Sequence, residues 1–186
     1  MQEAAYALIP EASRAEVHLR IGRLLLAYTP REKREERIFE IVHQLNRGVT
    51  LITEPGEREQ LAALNLIAGT RAKASTAYDA ALTYLVTGAT LLADDGWERR
   101  HALAFALELH RAECEFLTGR LAAAEERLAM LPLRATNLVE KAAVAALRIP
   151  LYVTLDRCGR GVEIGLAYLR EVGIVWPPHP TDEEVR

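Results

Sequence analysis

The sequence predicts an all-α chain of antiparallel helix hairpins stacked as an α-solenoid. Three observations carry that prediction. Half of the residues are hydrophobic but only 6% are aromatic, and the apolar positions are mostly Ala and Leu, which lose little side-chain freedom in a helix. Gly and Pro fall at intervals that leave helix-length runs between them, with no alternating strand pattern. A unit of helix, short turn and second helix then recurs along the chain.

The first helix is expected over about Glu11 to Tyr28, where Val17, Ile21, Leu24, Leu25 and Tyr28 fall at helical spacing. Thr29-Pro30 should end it and start the next, Thr as an N-cap and Pro at the first helical position. That second helix opens on the charged run Arg31 to Arg37, continues through Ile38, Ile41, Val42 and Leu45, and ends near Gly48. Four positive and three negative charges interleave in the run, so it reads as a solvated helix start rather than a basic binding patch. Further helices are expected over about Glu57 to Lys73, Thr76 to Ala93, Trp97 to Thr118, Leu121 to Leu131, Leu138 to Leu155 and Val162 to Val172. Asp94-Asp95-Gly96 is a turn without the spaced acidic ligands of a calcium loop. The uncharged stretch Ala80 to Ala93 is 14 residues long, too short for a membrane span of roughly 18 or more, and reads as a buried helix. Trp97 and Trp176 are expected to cover the ends of a core.

Three second helices align on Tyr78, Leu121 and Cys158, spaced by 43 and 37 residues, each with a small residue three positions on: Ala81, Ala124 and Gly161. Leu85, Leu128 and Gly165 follow on the same face, and Gly69 and Ala112 take the small position of the first helices. These units resemble tetratricopeptide repeats, without their characteristic Trp and closing Pro and with longer, irregular spacing. Longer phrases carry a more particular resemblance: His18-Leu19-Arg20-Ile21-Gly22-Arg23-Leu24-Leu25, Ile41-Val42-His43-Gln44-Leu45-Asn46-Arg47-Gly48, Ala68 to Ser75, Arg111 to Gly119, and His179 to Glu184. Together they resemble the helical region that follows the AAA-type ATPase module in very large bacterial signalling proteins. In that family a Ser/Thr-kinase-like domain often precedes the ATPase, and GAF or PAS sensors with a histidine kinase often follow. The resemblance implies that residues 1–186 form a single repeat domain cut from a longer chain. Asp156 and Cys158-Gly159-Arg160-Gly161 depart from the family's repeat pattern, and helical propensity falls there.

The net charge of −3, from 23 basic and 26 acidic side chains, supplies no positive field for a nucleic acid backbone. Cys114 and Cys158 form neither a CxxC pair nor a disulfide framework, and no signal peptide opens the chain, so a cytoplasmic setting is expected. No phosphate-cradling GxxxxGK[ST], GxGxxG, HRD or DFG element is present, and no catalytic or cofactor-binding residue is assigned. His110 and Cys114 share a helix face but lack the second ligand pair of a zinc site. They read as a half-buried imidazole near a buried thiol. His18, His43, His101 and His179 are read as surface or packing residues.

The function that follows is a non-catalytic protein–protein interaction and coupling segment of a multi-domain sensor kinase and ATPase protein. Its partners would be flanking domains of the same chain or another protein, not nucleic acid or membrane, with self-association left open. The alternatives are a small-molecule or signal-sensing helical domain and a passive spacer. With Gly69 and Ala112 in register, Leu66, Thr70 and Lys73 in one hairpin and Leu109, Glu113 and Phe116 in the next face the inner groove. The competing reading packs Leu66, Leu109 and Phe116 between hairpins. Thr181 and Glu184, after Pro180, have the spacing of a capping box and so announce a further helix. Repurified protein should hydrolyse neither ATP nor GTP in a phosphate-release assay; turnover surviving repurification overturns the non-enzyme reading.

Overall fold

In a computed structural model, residues 10–92 and 95–176 are described. The Thr181–Glu184 capping box, His179 and Asp94 lie outside them. Among the described residues the regular structure is all helical, with no strand. The α-helices are α1 Glu11–Tyr28, α2 Ile38–Arg47, α3 Pro55–Ala74, α4 Tyr78–Leu91, the single turn α5 Gly96–Arg99, α6 His101–Leu117, α7 Leu121–Met130, α8 Leu138–Thr154 and α9 Cys158–Glu171. The chain divides into two units, Met1–His110 and Arg111–Arg186, and the division falls inside α6.

In the first unit α1 packs on α2, α2 on α3, and α3 along α4. Ile38, Ile41, Val42, Leu45, Leu61, Leu85 and Leu107 fill its interior at 3% exposure or less. Each contributes about 2 kcal/mol by leaving water. In the second unit α8 packs on α9 and α7 on α8. Ala145, Tyr152 and Ile164 form a core there, joined by Ile149, Leu155 and Tyr168.

One turn recurs. At Thr76, Gly119, Asp156 and Gly173 the backbone takes φ of +59°, +74°, +56° and +83°. In each case the next amide reaches back to the carbonyl five residues earlier: Ala77 to Ala72, Arg120 to Glu115, Arg157 to Tyr152 and Ile174 to Leu169, at 2.8–3.0 Å. This is the Schellman closure of a helix end. Three of the four reverse the chain into the next helix, which is why α4, α7 and α9 begin at Tyr78, Leu121 and Cys158, the positions on which the repeat aligns. The expected start of the last helix is corrected here. Its second helix starts at Cys158, a turn earlier than Val162, because the Schellman turn delivers the chain already in helical direction.

The close approach within hairpins uses one small residue against one large one. A Cβ on Gly69 would lie 2.7 Å from Leu85 Cδ2, and one on Gly22 would lie 2.6 Å from Leu45 Cδ2. The first two helices are thus a further unit of the same kind, which the sequence comparison had not aligned. In the last hairpin the sizes are exchanged: Ile149 stands on the first helix, with its Cδ1 3.7 Å from a Cβ built on Gly165.

Five other expectations are corrected. The charged run is not the start of α2. Arg31–Lys33 is an isolated 3-10 turn, and Arg37, at φ −103° and ψ 13°, precedes Ile38 outside the helix. Arg34 explains this by folding back to donate to Leu26 O and Thr29 O at 3.3 and 3.2 Å, closing the end of α1. Thr29 caps that end as well, its amide bonding Leu25 O, and so is no N-cap. The helix expected from Trp97 to Thr118 breaks at Arg100, φ −136°. The stretch after Ala80 is buried on one face only: Thr83, Val86 and Thr90 are exposed, and the Thr hydroxyls bond carbonyls one turn back. Trp97 lies 5.8 Å from the His101 ring, centroid to centroid, whereas Trp176 is 54% exposed, more than a core cover would be.

Thr76→Gly should raise the melting temperature, since a β-branched residue in the left-handed region costs about 1 kcal/mol, and Gly119→Ala should lower it by a similar amount. Gly69→Ala should cost about 1–3 kcal/mol by overpacking against Leu85, whereas Gly165→Ala should be neutral or stabilising. Thermal denaturation followed by circular dichroism checks all four.

Candidate interaction face

The six residues expected on the inner face are all half-buried. Leu66, Thr70 and Lys73 follow one another along one face of α3. The Thr70 hydroxyl lies 3.0 Å from both Leu66 O and Ile67 O, so it is satisfied within its own helix. Lys73 Nζ donates to His110 Nδ1 at 3.0 Å. That nitrogen must then accept, which puts the ring hydrogen on Nε2. His110 thus gives the Lys73 ammonium a partner within the first unit. Leu109, Glu113 and Phe116 share one face of α6 by their spacing, Leu109 in the first unit and the other two in the second. Cys114 is fully buried and His110 half-buried. Among the described residues no three His, Cys, Asp or Glu side chains converge on a metal-sized space.

Polar groups that the sequence reading did not single out are gathered by packing. Asn65, fully buried on α3, exchanges amide hydrogen bonds with Asn46 of α2 at 2.8 and 3.0 Å and also donates to Leu61 O at 3.0 Å. His18 is 7% exposed on α1. Its Nδ1 lies 2.6 Å from Gln44 Oε1 and its Nε2 3.2 Å from Arg47 Nη1. A guanidinium only donates, so the ring hydrogen sits on Nδ1. Gln44, Asn46 and Arg47 all belong to the phrase Ile41 to Gly48, Gln44 and Arg47 meeting α1 and Asn46 meeting α3.

In the second unit the Glu115 carboxylate, 6% exposed, is clamped by Arg111 Nε at 3.0 Å and by Arg127 through Nε at 2.9 Å and Nη2 at 3.0 Å. Paired guanidinium donors of this kind match a carboxylate's two oxygens. In the first unit Glu59, 14% exposed, takes Arg99 at 2.9 Å and Arg100 at 2.7 Å. They line a cleft of about 570 Å³ with Gln60 and His101. On the surface Arg23 holds Glu57 with two hydrogen bonds of 2.7 and 2.8 Å, keeping its carboxyl below the usual range. Burial pushes the Tyr84 phenol up. These arrangements satisfy charge and fix helix register. What signals them in sequence is a polar residue inside an apolar run, as Asn65 stands in Leu61 to Gly69.

No family model matches the chain, and no solved structure matches it. It is 27% identical over 198 residues to the hybrid signal transduction histidine kinase G of Dictyostelium discoideum. The match covers 94% of this chain but only 6% of that protein. The similarity lies in a signalling context. No helix among the described residues is long and apolar enough to cross a membrane.

Asn65→Ala should lower the unfolding free energy by about 2 kcal/mol, through the lost hydrogen bonds and the space left behind. Adding Asn46→Ala should cost less than its effect alone, with a coupling of about 0.5–3 kcal/mol in a urea-denaturation double-mutant cycle. Strict additivity counts against the reciprocal amide pair.

Proposed function

We propose that the chain is a tetratricopeptide-like α-solenoid that serves as a non-catalytic coupling segment of a large signalling protein. It would act in the cytoplasm of a bacterium, between ATPase and sensor-kinase modules. The observation that supports this reading most directly is the proportion of the match: almost all of the chain aligns with about one-sixteenth of a histidine kinase. A segment related at that scale is a part of a larger machine, and its task is set by what lies beside it. Helical hairpins suit that task because they present side chains on rigid elements while each hairpin closes through its own turn.

The buried polar groups support the same reading. Glu115 and Glu59 are each held by two arginines, and Asn65 is held by Asn46. Groups consumed in this way fix helix register and leave little for chemistry. The proposed contact residues are Leu66, Thr70, Lys73 and Leu109 in the first unit and Glu113 and Phe116 in the second, with Lys73 and Glu113 setting charge preference.

The test is capture of the isolated flanking ATPase, GAF or PAS modules by the intact chain, with and without Lys73→Glu and Glu113→Lys together. Capture weakened about tenfold or more is expected. Loss of the bond from Lys73 to His110 should lower stability by about 1 kcal/mol, well short of unfolding. Binding to neither neighbour would leave a passive spacer, and capture unaffected by the reversal would move the contact to another face.

A further inference from the structure

The second unit contains a cavity of about 190 Å³ where α8 and α9 meet beside the Leu131–Leu133 turn. Its walls combine Val144, Ile164 and other small apolar side chains with Lys141, Arg148, Tyr168 and Glu171. At one edge Lys141 Nζ bonds Glu171 Oε2 at 2.7 Å, and both side chains are substantially exposed. Arg148 is different. Its Nε is buried, and among the described residues it is the one buried side-chain nitrogen or oxygen without a hydrogen-bond partner.

A guanidinium cannot shed its charge, and an unpaired N–H in a water-poor place is costly, so such a group marks where an acceptor belongs. The charges around the cavity are two positive and one negative, an excess of one positive charge. At about 30 Å³ per water molecule, the volume is that of roughly six waters, or a guest of about six to eight non-hydrogen atoms. A nucleotide is far too large. A bare inorganic anion would leave the apolar wall unfilled.

We propose that this cavity binds a small aliphatic monocarboxylate, its carboxylate on the Arg148 guanidinium and its alkyl chain against Val144 and Ile164. Nε is sealed from water, so binding requires the guanidinium to turn its Nε edge toward the cavity that Arg148 lines. The Nε edge offers two parallel donors, the arrangement that matches a carboxylate. Tyr168 can give a further hydrogen bond from its hydroxyl, and Glu171 opposes the guest while Lys141 offsets that repulsion. This proposal is independent of the docking role above: it concerns α8 and α9, not the face on α3 and α6.

The test is titration of the whole chain with hexanoate, followed by amide chemical shifts and calorimetry, against hexanol and inorganic phosphate. Saturable hexanoate binding with Kd of order 0.1–5 mM is expected for a guest of this size, with shifts centred on Val144, Arg148 and Ile164. Arg148→Met, which keeps the stem and removes the charge, should weaken binding at least tenfold. Glu171→Gln, at an exposed position, should strengthen it about threefold, and this variant decides the matter if Arg148→Met fails to fold. Equal binding of hexanol reduces the site to an apolar hole, and equal binding of phosphate reduces it to a cationic patch. A glutamate-containing tripeptide binding more tightly than hexanoate makes the natural guest a protein side chain. Each of these three results, or hexanoate affinity unchanged in Arg148→Met, overturns the proposal.

Discussion

The two helices of a hairpin can lie close together only where one yields its side chain to the other. In the first unit Gly69 yields to Leu85 and Gly22 to Leu45. In the last hairpin Gly165 faces Ile149 at a distance that a methyl group would fill without strain, so the approach there is looser. Interiors packed at crystal-like density feel a single methyl group, so at Gly69 and Gly22 the facing pair of small and large residues is fixed. The register of the hydrophobic core follows from these contacts. Leu45 and Leu85, each at 3% exposure or less, are core residues because a glycine faces them.

The buried polar groups add selectivity to that packing. An apolar interface tolerates slippage by one helical turn at modest cost, but a slip would separate Asn46 from Asn65 and leave both amides unsatisfied in the interior. Likewise Glu115 accepts from Arg111 of its own helix and from Arg127 of α7, and a shift of α7 along α6 would take Arg127 off the carboxylate. Their value lies less in absolute stability than in penalising the neighbouring registers.

Much of this was legible in the sequence. The all-helical class, the ends of α1 and the first residue of α7 follow from glycine and proline spacing and from Ala and Leu content, which act locally. The errors fall where a distant group decides. The charged run from Arg31 is a good helix former by propensity, yet Arg34 turns back to the carbonyls of α1 and the helix waits until Ile38. The kinship of the first hairpin stayed hidden because Thr29 to Arg37 joins its helices where three residues suffice elsewhere, which throws the repeat out of phase. Leu66, Thr70 and Lys73 lie along one side of α3 as their spacing requires, but the bond from Lys73 to His110, across 37 positions, had no local signature. Asn65 stands out locally as a polar residue in an apolar run, but its partner Asn46, 19 positions away, had no such sign.

The Schellman turns carry a consequence for ancestry. Their shape is held by backbone amides meeting carbonyls five residues behind, and the left-handed position is occupied by Thr, Gly, Asp and Gly in turn. No side chain is indispensable to the closure. Selection can therefore preserve the hairpin while every letter of the turn drifts, at a penalty of about 1 kcal/mol for a poor choice. Lineages built from such hairpins would diverge past the reach of sequence profiles long before their geometry changed, and the surviving record of common descent would be the rhythm of chain reversals.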